Sequence, residues 1–216
     1  MIKIGIIGAG AIGCHLSHCL CESGSDVYLF CRNQTYENIL KNGIRLKIID
    51  KQITENRTNL IDTNNLTDFP ELDYLIICTK LYSFNEELIR LIRLSTSENT
   101  IIIPPTTGLP HWWFHDTKDN DQFLDNDQIQ VCYEIMPPEK CIGMTYWLSS
   151  KQLSPGNINV TNIQRGYPIG TINNYNTEKA KKLTELLIKG GIESPFVNDI
   201  KGEIFMKSIN SLSFNL

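Results

Sequence analysis

Residues 1–13 read MIKIGIIGAGAIG and join a short isoleucine-rich run to a glycine-rich turn. The apolar run is typical of a parallel strand that is buried on both faces. In the pattern G-x-G-x-x-G that follows, Gly8 permits a tight turn, Gly10 lets a pyrophosphate approach the backbone, and Gly13 lets the next helix pack closely. The N-terminus of that helix attracts phosphates. The alternative is a strand–helix turn that binds nothing. We predict a dinucleotide site formed by Gly8, Ala9, Gly10, Ala11, Ile12 and Gly13.

The end of the second predicted strand, 26–31, indicates which dinucleotide binds. A carboxylate here would bind the ribose hydroxyls of NAD, but the chain has Arg32 and Asn33. A guanidinium matches a 2′-phosphate in charge and shape, and Asn33 offers a second donor. The alternative is a solvent-exposed arginine without a ligand. The sequence therefore favours NADPH/NADP+ as the cofactor.

Predicted strands and helices alternate through the N-terminal half, which is typical of an α/β protein with a parallel, doubly wound sheet. Ligands of such sheets bind beyond the carboxyl ends of the strands, so the turns that contain Gly8, Arg32, Lys80 and Thr107 should meet there. The predicted helices are 11–23, 35–42 and 83–94; the predicted strands are 2–7, 26–31, 44–49, 52–60 (paired with 44–49), 72–78 and 100–103.

The C-terminal half is predicted to end in two helices. Before them, 117–130 has the polar, acidic composition of a loop, and strands are predicted at 130–136, 142–148 and 158–161, with a turn at 154–157. The first helix, 177–189, is predicted to be capped by Thr177. The last, 197–216, is capped by Asn198 or Asp199 and carries apolar residues beside a polar stripe. That stripe consists of Asp199, Glu203, Lys207, Ser211 and Asn215.

Composition and charge exclude several classes of protein. The chain has 216 residues, a net charge of −4 and 41% hydrophobic residues, enough to bury a core of good size. It has no basic patch for nucleic acid and no apolar run near the roughly 18 residues of a membrane span. No signal peptide precedes the first strand. The seven cysteines indicate reduced thiols and a cytoplasmic location.

Cysteine and histidine pairs on the first predicted helix resemble metal ligands. Cys14 and His18 are four residues apart, as are His15 and Cys19. We expect no metal site, because no C-x-x-C and no second ligand cluster accompany them. Cysteine is also a common small residue where a helix packs on a sheet.

Several stretches, in order along the chain, form a recognisable set. They are KIGIIGAGAIG (3–13), the strand end at Arg32, ICTK (77–80), TTGLPHWWF (106–114), CIGMTYW (141–147), LSPGNINV (153–160) and DIKGEIFMKSINSLSFN (199–215). With these stretches the chain resembles the ketopantoate reductase (2-dehydropantoate 2-reductase) family. The resemblance implies an N-terminal NADPH-binding Rossmann domain, an all-helical second domain and an active site in the cleft between them. It also implies an NADP-dependent oxidoreductase acting on CH–OH, which reduces 2-dehydropantoate to pantoate, or a related 2-oxo acid, on the route to pantothenate and coenzyme A.

The resemblance also assigns roles to single residues. The glycine turn and Arg32 match the family's cofactor residues, and Lys80 matches a lysine that faces both cofactor and substrate. Lys207 matches the lysine that donates a proton to the substrate carbonyl oxygen. Judged by spacing alone, Lys207 is equally well explained as a solvated lysine paired with Glu203. Asn215 matches a substrate-binding asparagine of the family, whereas Thr107, expected to contact cofactor and substrate, and Ser211, expected to contact substrate, stand at positions where the residue type differs.

The sequence also departs from the family. Thr107 replaces an asparagine before Gly108, and Ser211 replaces another asparagine. Most of the family's helical domain, which supplies a serine, a glutamate and much of the dimer contact, does not follow. We therefore expect an NADP-binding Rossmann domain at 1–197 and the first helix of a truncated all-helical C-terminal domain at 198–216.

Three interpretations of the function remain open at this point. The chain is an active 2-oxo acid reductase, a catalytically impaired NADP(H)-binding remnant, or a fragment that works only with another chain. The last helix of such a truncated chain would expose large apolar side chains. These are Ile204, Phe205, Ile209, Leu212 and Phe214. They could be covered by folding back onto the chain's own Rossmann domain or by pairing with the same helix of a second copy, and we favour the homodimer.

Overall fold

The structure is a computed structural model of the chain and describes residues 1–66, 68–80, 85–104, 108–119 and 124–214. Thr107 and Asn215, two of the expected site residues, lie outside the described residues, and so does Ser83, the expected start of a helix. In chain order the strands are β1 (Lys3–Ile7), β2 (Asp26–Cys31), β3 (Ile44–Ile48), β4 (Lys51–Glu55), β5 (Asn59–Asp62), β6 (Tyr74–Ile77), β7 (Ile101–Ile103), β8 (Ile142–Met144), β9 (Trp147–Ser154), β10 (Asn157–Gly166) and β11 (Ile169–Thr171). The helices are α1 (Ala11–Glu22), α2 (Asn33–Asn42), α3 (Glu86–Ser95), α4 (Asp127–Ile135), α5 (Thr177–Lys189) and α6 (Ile200–Phe214).

Five parallel strands form the first sheet, in the order β5-β2-β1-β6-β7. In this sheet Ile6 of β1 lies opposite Leu29 of β2 and Ile76 of β6. All three side chains are fully buried, as expected where helices cover both faces of a parallel sheet. The strand order reverses direction between β1 and β6, which places the ligand crevice at their carboxyl ends. The predicted doubly wound α/β fold is confirmed.

A second, mixed sheet has the order β4-β3-β10-β9, and β8 pairs with β11 in a two-stranded sheet. The strand predicted at 52–60 is half right. Its first part is β4, which pairs antiparallel with β3 as expected. Asn59 instead begins β5, which runs parallel to β2 in the first sheet. The chain turns between the two sheets where the backbone N–H of Arg57 donates to the Glu55 carboxylate at 2.7 Å.

The strand predicted at 130–136 is wrong, because these residues belong to α4, which begins inside the predicted loop 117–130. The helix is fixed by its cap. The side-chain oxygen of Asn126 accepts hydrogen bonds from two backbone N–H groups of the first turn, at 3.0 and 3.2 Å. A short apolar run does not distinguish a strand from a helix, and here the cap makes the difference.

The strand predicted at 142–148 is two strands in different sheets, β8 and β9. The chain crosses between the sheets at Thr145, whose N–H donates to the carbonyl oxygen of Pro168 at 3.0 Å. The predicted turn at Pro155-Gly156 is confirmed, and the strand after it, β10, is longer than expected.

The helix predicted at 177–189 is confirmed as α5, although its cap residue is not the expected one, and α6 begins at Ile200 rather than at residue 197. Asn176, not Thr177, stands at the cap position of α5, with a left-handed φ of 57°. The Thr177 hydroxyl donates instead to the carbonyl oxygen of Asn174 at 2.9 Å. Helix α6 is capped by Asp199, one of the two expected residues, because its Oδ1 accepts from the N–H of Gly202 at 2.8 Å.

The first turns of α6 pack against the two-stranded sheet. Ile200 covers Gly143 and Gly170, and a Cβ on either glycine would come within 2.5 to 2.8 Å of Ile200 atoms. Ile200 and Ile204 are both buried, so the expected exposure of Ile204 is wrong. No described helix combines the length and the apolarity needed to cross a membrane. Farther along α6 the large apolar side chains are exposed: Phe205 (52%), Met206 (56%), Ile209 (43%) and Leu212 (69%).

Candidate active site

The glycine turn joins β1 to α1, and the geometry of each glycine fits the role expected of it. Gly8 has a φ of 107°, which residues with a side chain rarely adopt. A Cβ on Gly13 would overlap the carbonyl oxygen of Gly8, so α1 packs this closely only with glycine there. A Cβ on Gly10 would meet no atom within 4 Å. Gly10 therefore borders open space from which a ligand can reach the backbone.

The N-terminus of α1 is open to an anion. Its cap position is Gly10, and its first turn carries no acidic residue. The N–H of Cys14 donates to the carbonyl oxygen of Gly10 at 3.0 Å, as the first bond of the helix ladder. The N–H groups of Ala11, Ile12 and Gly13 precede that ladder and have no acceptor within it. Together with the helix dipole, these groups fit the negative charge of a pyrophosphate.

A cleft of about 390 Å³ opens at the carboxyl ends of the strands around this turn. One wall is Gln152 of β9, whose Nε2 donates to the carbonyl oxygen of Ala9 at 3.4 Å. Another is Thr79 after β6, whose buried hydroxyl has no hydrogen-bond partner among the described residues. The sequence analysis missed both residues. Isolated glutamines and threonines carry no signal in a sequence, and only the fold places these two beside the glycines.

Arg32 lines the same cleft, but it is bound to a carboxylate. Its Nη1 donates to Oε2 of Glu87 at 2.5 Å, and both side chains are about half exposed. Glu87 belongs to the first turn of α3 and also lines the cleft. The residues at the end of β2 include no carboxylate beside Arg32, as expected from the sequence. The fold supplies a carboxylate from a different element, so an ion pair occupies the position expected for a lone guanidinium.

The Lys207 ammonium lies over two aromatic rings near the start of β9. Its Nζ is 5.2 Å from the ring centroid of Tyr146 and 5.3 Å from that of Trp147, within the range of cation–π contacts. Burial lowers the pKa of Lys207 below its ordinary value, because loss of water disfavours the charged form. A lowered pKa makes the ammonium a stronger proton donor than a solvated lysine.

Glu203, one helical turn before Lys207, has other partners. Its Oε1 accepts from Nη1 of Arg165 at 2.6 Å, and its Oε2 accepts from the indole N–H of Trp147 at 3.1 Å. The i,i+4 ion pair between Glu203 and Lys207 that the spacing suggested is not formed between these two described side chains.

Comparison with known proteins identifies the family of this chain. The profile of the family described as ketopantoate reductase PanE/ApbA matches residues 4–113, about half of the chain. The chain belongs to the ketopantoate reductase family. It is 27% identical over 221 residues to a 2-dehydropantoate 2-reductase from Mesorhizobium japonicum. That alignment covers 99% of this chain and 65% of the relative, so the chain spans less than two thirds of the relative's length.

Solved structures share the fold of this ketopantoate reductase family member. A 2-dehydropantoate 2-reductase from Geobacter metallireducens superposes with a TM-score of 0.76 at 23% identity, covering 99% of this chain and 64% of that one. A D-mandelate dehydrogenase, solved with NADH and anilino(oxo)acetate, superposes with a TM-score of 0.76 at 19% identity, covering 97% and 61%. At these identities the comparisons support the fold alone.

In this member of the ketopantoate reductase family, the expected site residues form two groups. The glycine turn and Arg32 share the cleft, whereas Lys207 and Ser211 lie one turn apart on α6, where Ser211 is half-buried. Strand β9 connects the groups, because its Gln152 contacts the glycine turn and its Trp147 contacts Lys207. The two positions are five residue steps apart, which corresponds to about 17 Å of strand. Lys80 is exposed beyond the end of β6.

The histidines of α1 are bound by protein groups. Nδ1 of His15 lies 2.8 Å from the hydroxyl of Tyr167, and Nδ1 of His18 lies 3.0 Å from Oε2 of Glu55. His18, Glu55 and Glu22 have the spacing of a metal site. The guanidinium of Arg57, however, contacts both carboxylates and supplies the positive charge that a metal ion would bring.

Proposed function

We propose that the chain binds NADPH and supplies the proton donor for the reduction of a 2-oxo acid. The substrate that family membership favours is 2-dehydropantoate, whose reduction gives pantoate on the route to pantothenate and coenzyme A. The observation that carries the proposal is the meeting of the glycine turn and Arg32 in one cleft at the carboxyl end of β1. The cytoplasm is the location that we propose for this reaction.

The residues of the cleft would hold the cofactor from both ends. The N–H groups that begin α1 would bind the pyrophosphate beside Gly10. Arg32 would bind the 2′-phosphate through its guanidinium, after exchanging the Glu87 carboxylate for the phosphate oxygens. Gln152 and Thr79 would close the walls of the cleft with their polar side chains.

The chemistry requires an acid where negative charge develops. The bound cofactor would supply a hydride to the carbonyl carbon of the substrate. Lys207 would donate a proton from its ammonium to the carbonyl oxygen, whose developing charge the ammonium would also stabilise. As substrate contacts we propose the lysine and hydroxyl side chains that the family resemblance aligns with this region: Lys80, Thr107 and Ser211, with Asn215.

A second candidate function is cofactor binding without turnover, alone or as a fragment that needs another chain. One observation favours it: the half-buried position one turn after Lys207 holds Ser211 rather than the amide expected in the family. A serine hydroxyl offers one donor where an amide offers two donors and a fixed acceptor. The alignment with longer relatives is consistent with either candidate.

NADPH oxidation in the presence of 2-dehydropantoate separates the two candidates. We expect turnover in the wild type, and a loss of about a hundredfold or more in kcat for Lys207→Ala, the range for removal of a general acid. Lys201→Ala, on the same helix, is the matched control and should keep the wild-type rate. Fluorescence titration with NADPH should give the same affinity for all three proteins. NADPH binding without turnover in the wild type would favour the second candidate, and absence of binding would refute both.

We also propose that the exposed apolar face of α6 pairs with a second copy of the chain. Phe205, Met206, Ile209 and Leu212 are exposed on one helix. Burying a side chain of this size is worth about 1.5–3 kcal/mol, which favours a two-fold dimer that covers the whole face.

A further inference from the structure

The carboxylate nearest to Lys207 along α6 is held by two other residues. A Glu four residues before a Lys on a helix is the favourable order for an ion pair. Glu203 and Lys207 have this spacing, yet Glu203 directs one oxygen to Arg165 and the other to Trp147. The Glu203 side chain is only 17% exposed, and its bond to Trp147 is partly buried, whereas the ion pair with the 45% exposed Arg165 side chain is open to solvent.

The same arrangement fixes the rings below the ammonium. The indole N–H of Trp147 donates to Glu203, and this bond limits rotation of the ring over which Lys207 lies. Tyr146 presents the second ring. Glu203 therefore acts on Lys207 indirectly. It orients an aromatic ring below the ammonium and does not neutralise the charge of the ammonium.

We propose that Arg165 and Trp147 are positioning residues that hold the Glu203 carboxylate away from Lys207, so that the ammonium remains available as a proton donor. The importance of this arrangement for catalysis rests on the proposed function. The contacts of Glu203 with Arg165 and Trp147 do not depend on it. The titratable groups of this cluster include Tyr146, whose ring lies below the ammonium, and Glu203 and Arg165, which pair with each other. Asp199, at the start of α6, accepts from the backbone N–H of Gly202.

The physical reason lies in the proton affinity of the lysine. A carboxylate paired with the ammonium would stabilise the protonated form and make the proton harder to give up. Aromatic faces stabilise the cation more weakly than a paired carboxylate does and do not accept its proton. An arginine is suited to hold the carboxylate, because its guanidinium keeps its charge at every pH of interest.

The test measures the reactivity of Lys207 toward reductive methylation as a function of pH, by mass spectrometry on the full chain without cofactor or substrate. In the wild type, the pKa of Lys207 should lie below the ordinary value for a lysine. In Arg165→Met, the released carboxylate should pair with Lys207 and raise its pKa by about 0.5, the effect of a partly exposed i,i+4 pair. Arg45→Met, which removes an exposed arginine from β3, is the matched control and should leave Lys207 unchanged.

Two further variants sharpen the test, and the first of them, which keeps Arg165, leaves the proposal open to refutation even if Arg165→Met fails to fold. Glu203→Gln alone should scarcely change the pKa of Lys207, because the carboxylate is already held elsewhere. The double variant Arg165→Met/Glu203→Gln should return the pKa to the wild-type value. An unchanged pKa in Arg165→Met, or a marked fall in Glu203→Gln, would overturn the proposal.

The labelling experiment requires no turnover. It therefore tests the role of Arg165 even if the chain shows no reductase activity. If the chain does turn over, the alkaline limb of the kcat–pH profile should move upward in Arg165→Met with NADPH affinity unchanged. A purely structural role for Arg165 would lower stability and kcat without moving that limb.

Discussion

The cleft and the lysine cluster differ in how far along the chain their parts lie. The glycine turn, the N-terminus of α1 and Arg32 all fall within the first two strands and the first helix. Around Lys207, the contacts that matter join Glu203 to Trp147 across 56 positions and to Arg165 across 38. The first site is a local motif, because its parts lie close together in the sequence. The second is assembled where Glu203 and Lys207 of α6 meet side chains of strands β9 and β10, and it exists only if α6 is held in its place on the two-stranded sheet.

The largest expected effect comes from filling the open space beside Gly10, which should affect the cleft and not the lysine cluster. Gly10→Val should abolish NADPH binding, because its side chain would project into space that the fold leaves open. The chain should still fold, since a Cβ there meets no atom within 4 Å. Fluorescence titration and circular dichroism measure the two effects.

Gly13→Ala is the matched control for that substitution. Its Cβ would overlap the carbonyl oxygen of Gly8, so it should lower the unfolding midpoint and affect binding only through folding. Full NADPH affinity in Gly10→Val would place the pyrophosphate elsewhere.

The next largest expected effect is on the oligomeric state, when charges are placed on the exposed apolar face of α6. Sedimentation should find the wild type as a dimer and Ile209→Asp/Leu212→Asp as a monomer that still binds NADPH, because charges on this face oppose its burial. Leu94→Asp changes a leucine of similar exposure (53%) on α3 and should leave the dimer intact. A monomeric wild type would contradict the proposed pairing.

The bond between His15 and Tyr167 joins α1 to the chain after β10, so it tests the connection between the regions. Burial, with a smaller effect of His18, lowers the pKa of His15 from 6.5 to about 4. In the unfolded chain His15 therefore binds a proton near pH 6.5, whereas in the folded chain it binds one only near pH 4. The stabilisation is complete above pH 6.5 and is lost as the pH falls from there to 4, by about 2 kcal/mol between pH 7.5 and 5.

Urea unfolding at both pH values measures this contribution. His15→Gln should lower the free energy of unfolding at pH 7.5 and reduce its dependence on pH. Part of the dependence should remain, because burial also lowers the pKa of His111 to about 4. Equal pH dependence in variant and wild type would show that His15 does not carry it.

The smallest expected effects concern cofactor choice at the Arg32–Glu87 pair. Arg32→Ala should weaken NADPH binding about tenfold and leave NADH binding nearly unchanged, because only NADPH has the 2′-phosphate. Glu87→Gln should strengthen NADPH binding by up to about fivefold, since an exposed ion pair no longer has to open. Fluorescence titration of both cofactors decides this, and equal affinity of the wild type for NADPH and NADH would refute a preference set by Arg32.

By itself, the sequence determined the parallel sheet, the glycine turn and the place of Arg32 at the end of β2. These follow from patterns a few residues long, in which buried strands, tight turns and helix starts each have a distinct composition. The same logic failed at 130–136 and 142–148. There the short apolar runs are compatible with more than one structure, and the cap at Asn126 and the crossing at Thr145 decide between them.

Only the tertiary structure decided the partners of the charged residues. Spacing along a helix pairs Glu203 with Lys207, and position after a strand leaves Arg32 without a carboxylate. The fold instead gives Glu203 to Arg165 and brings Glu87 to Arg32 from another helix. Ion pairs depend on distances of a few ångströms between side chains that are far apart in the chain, and no local pattern of residues records such distances.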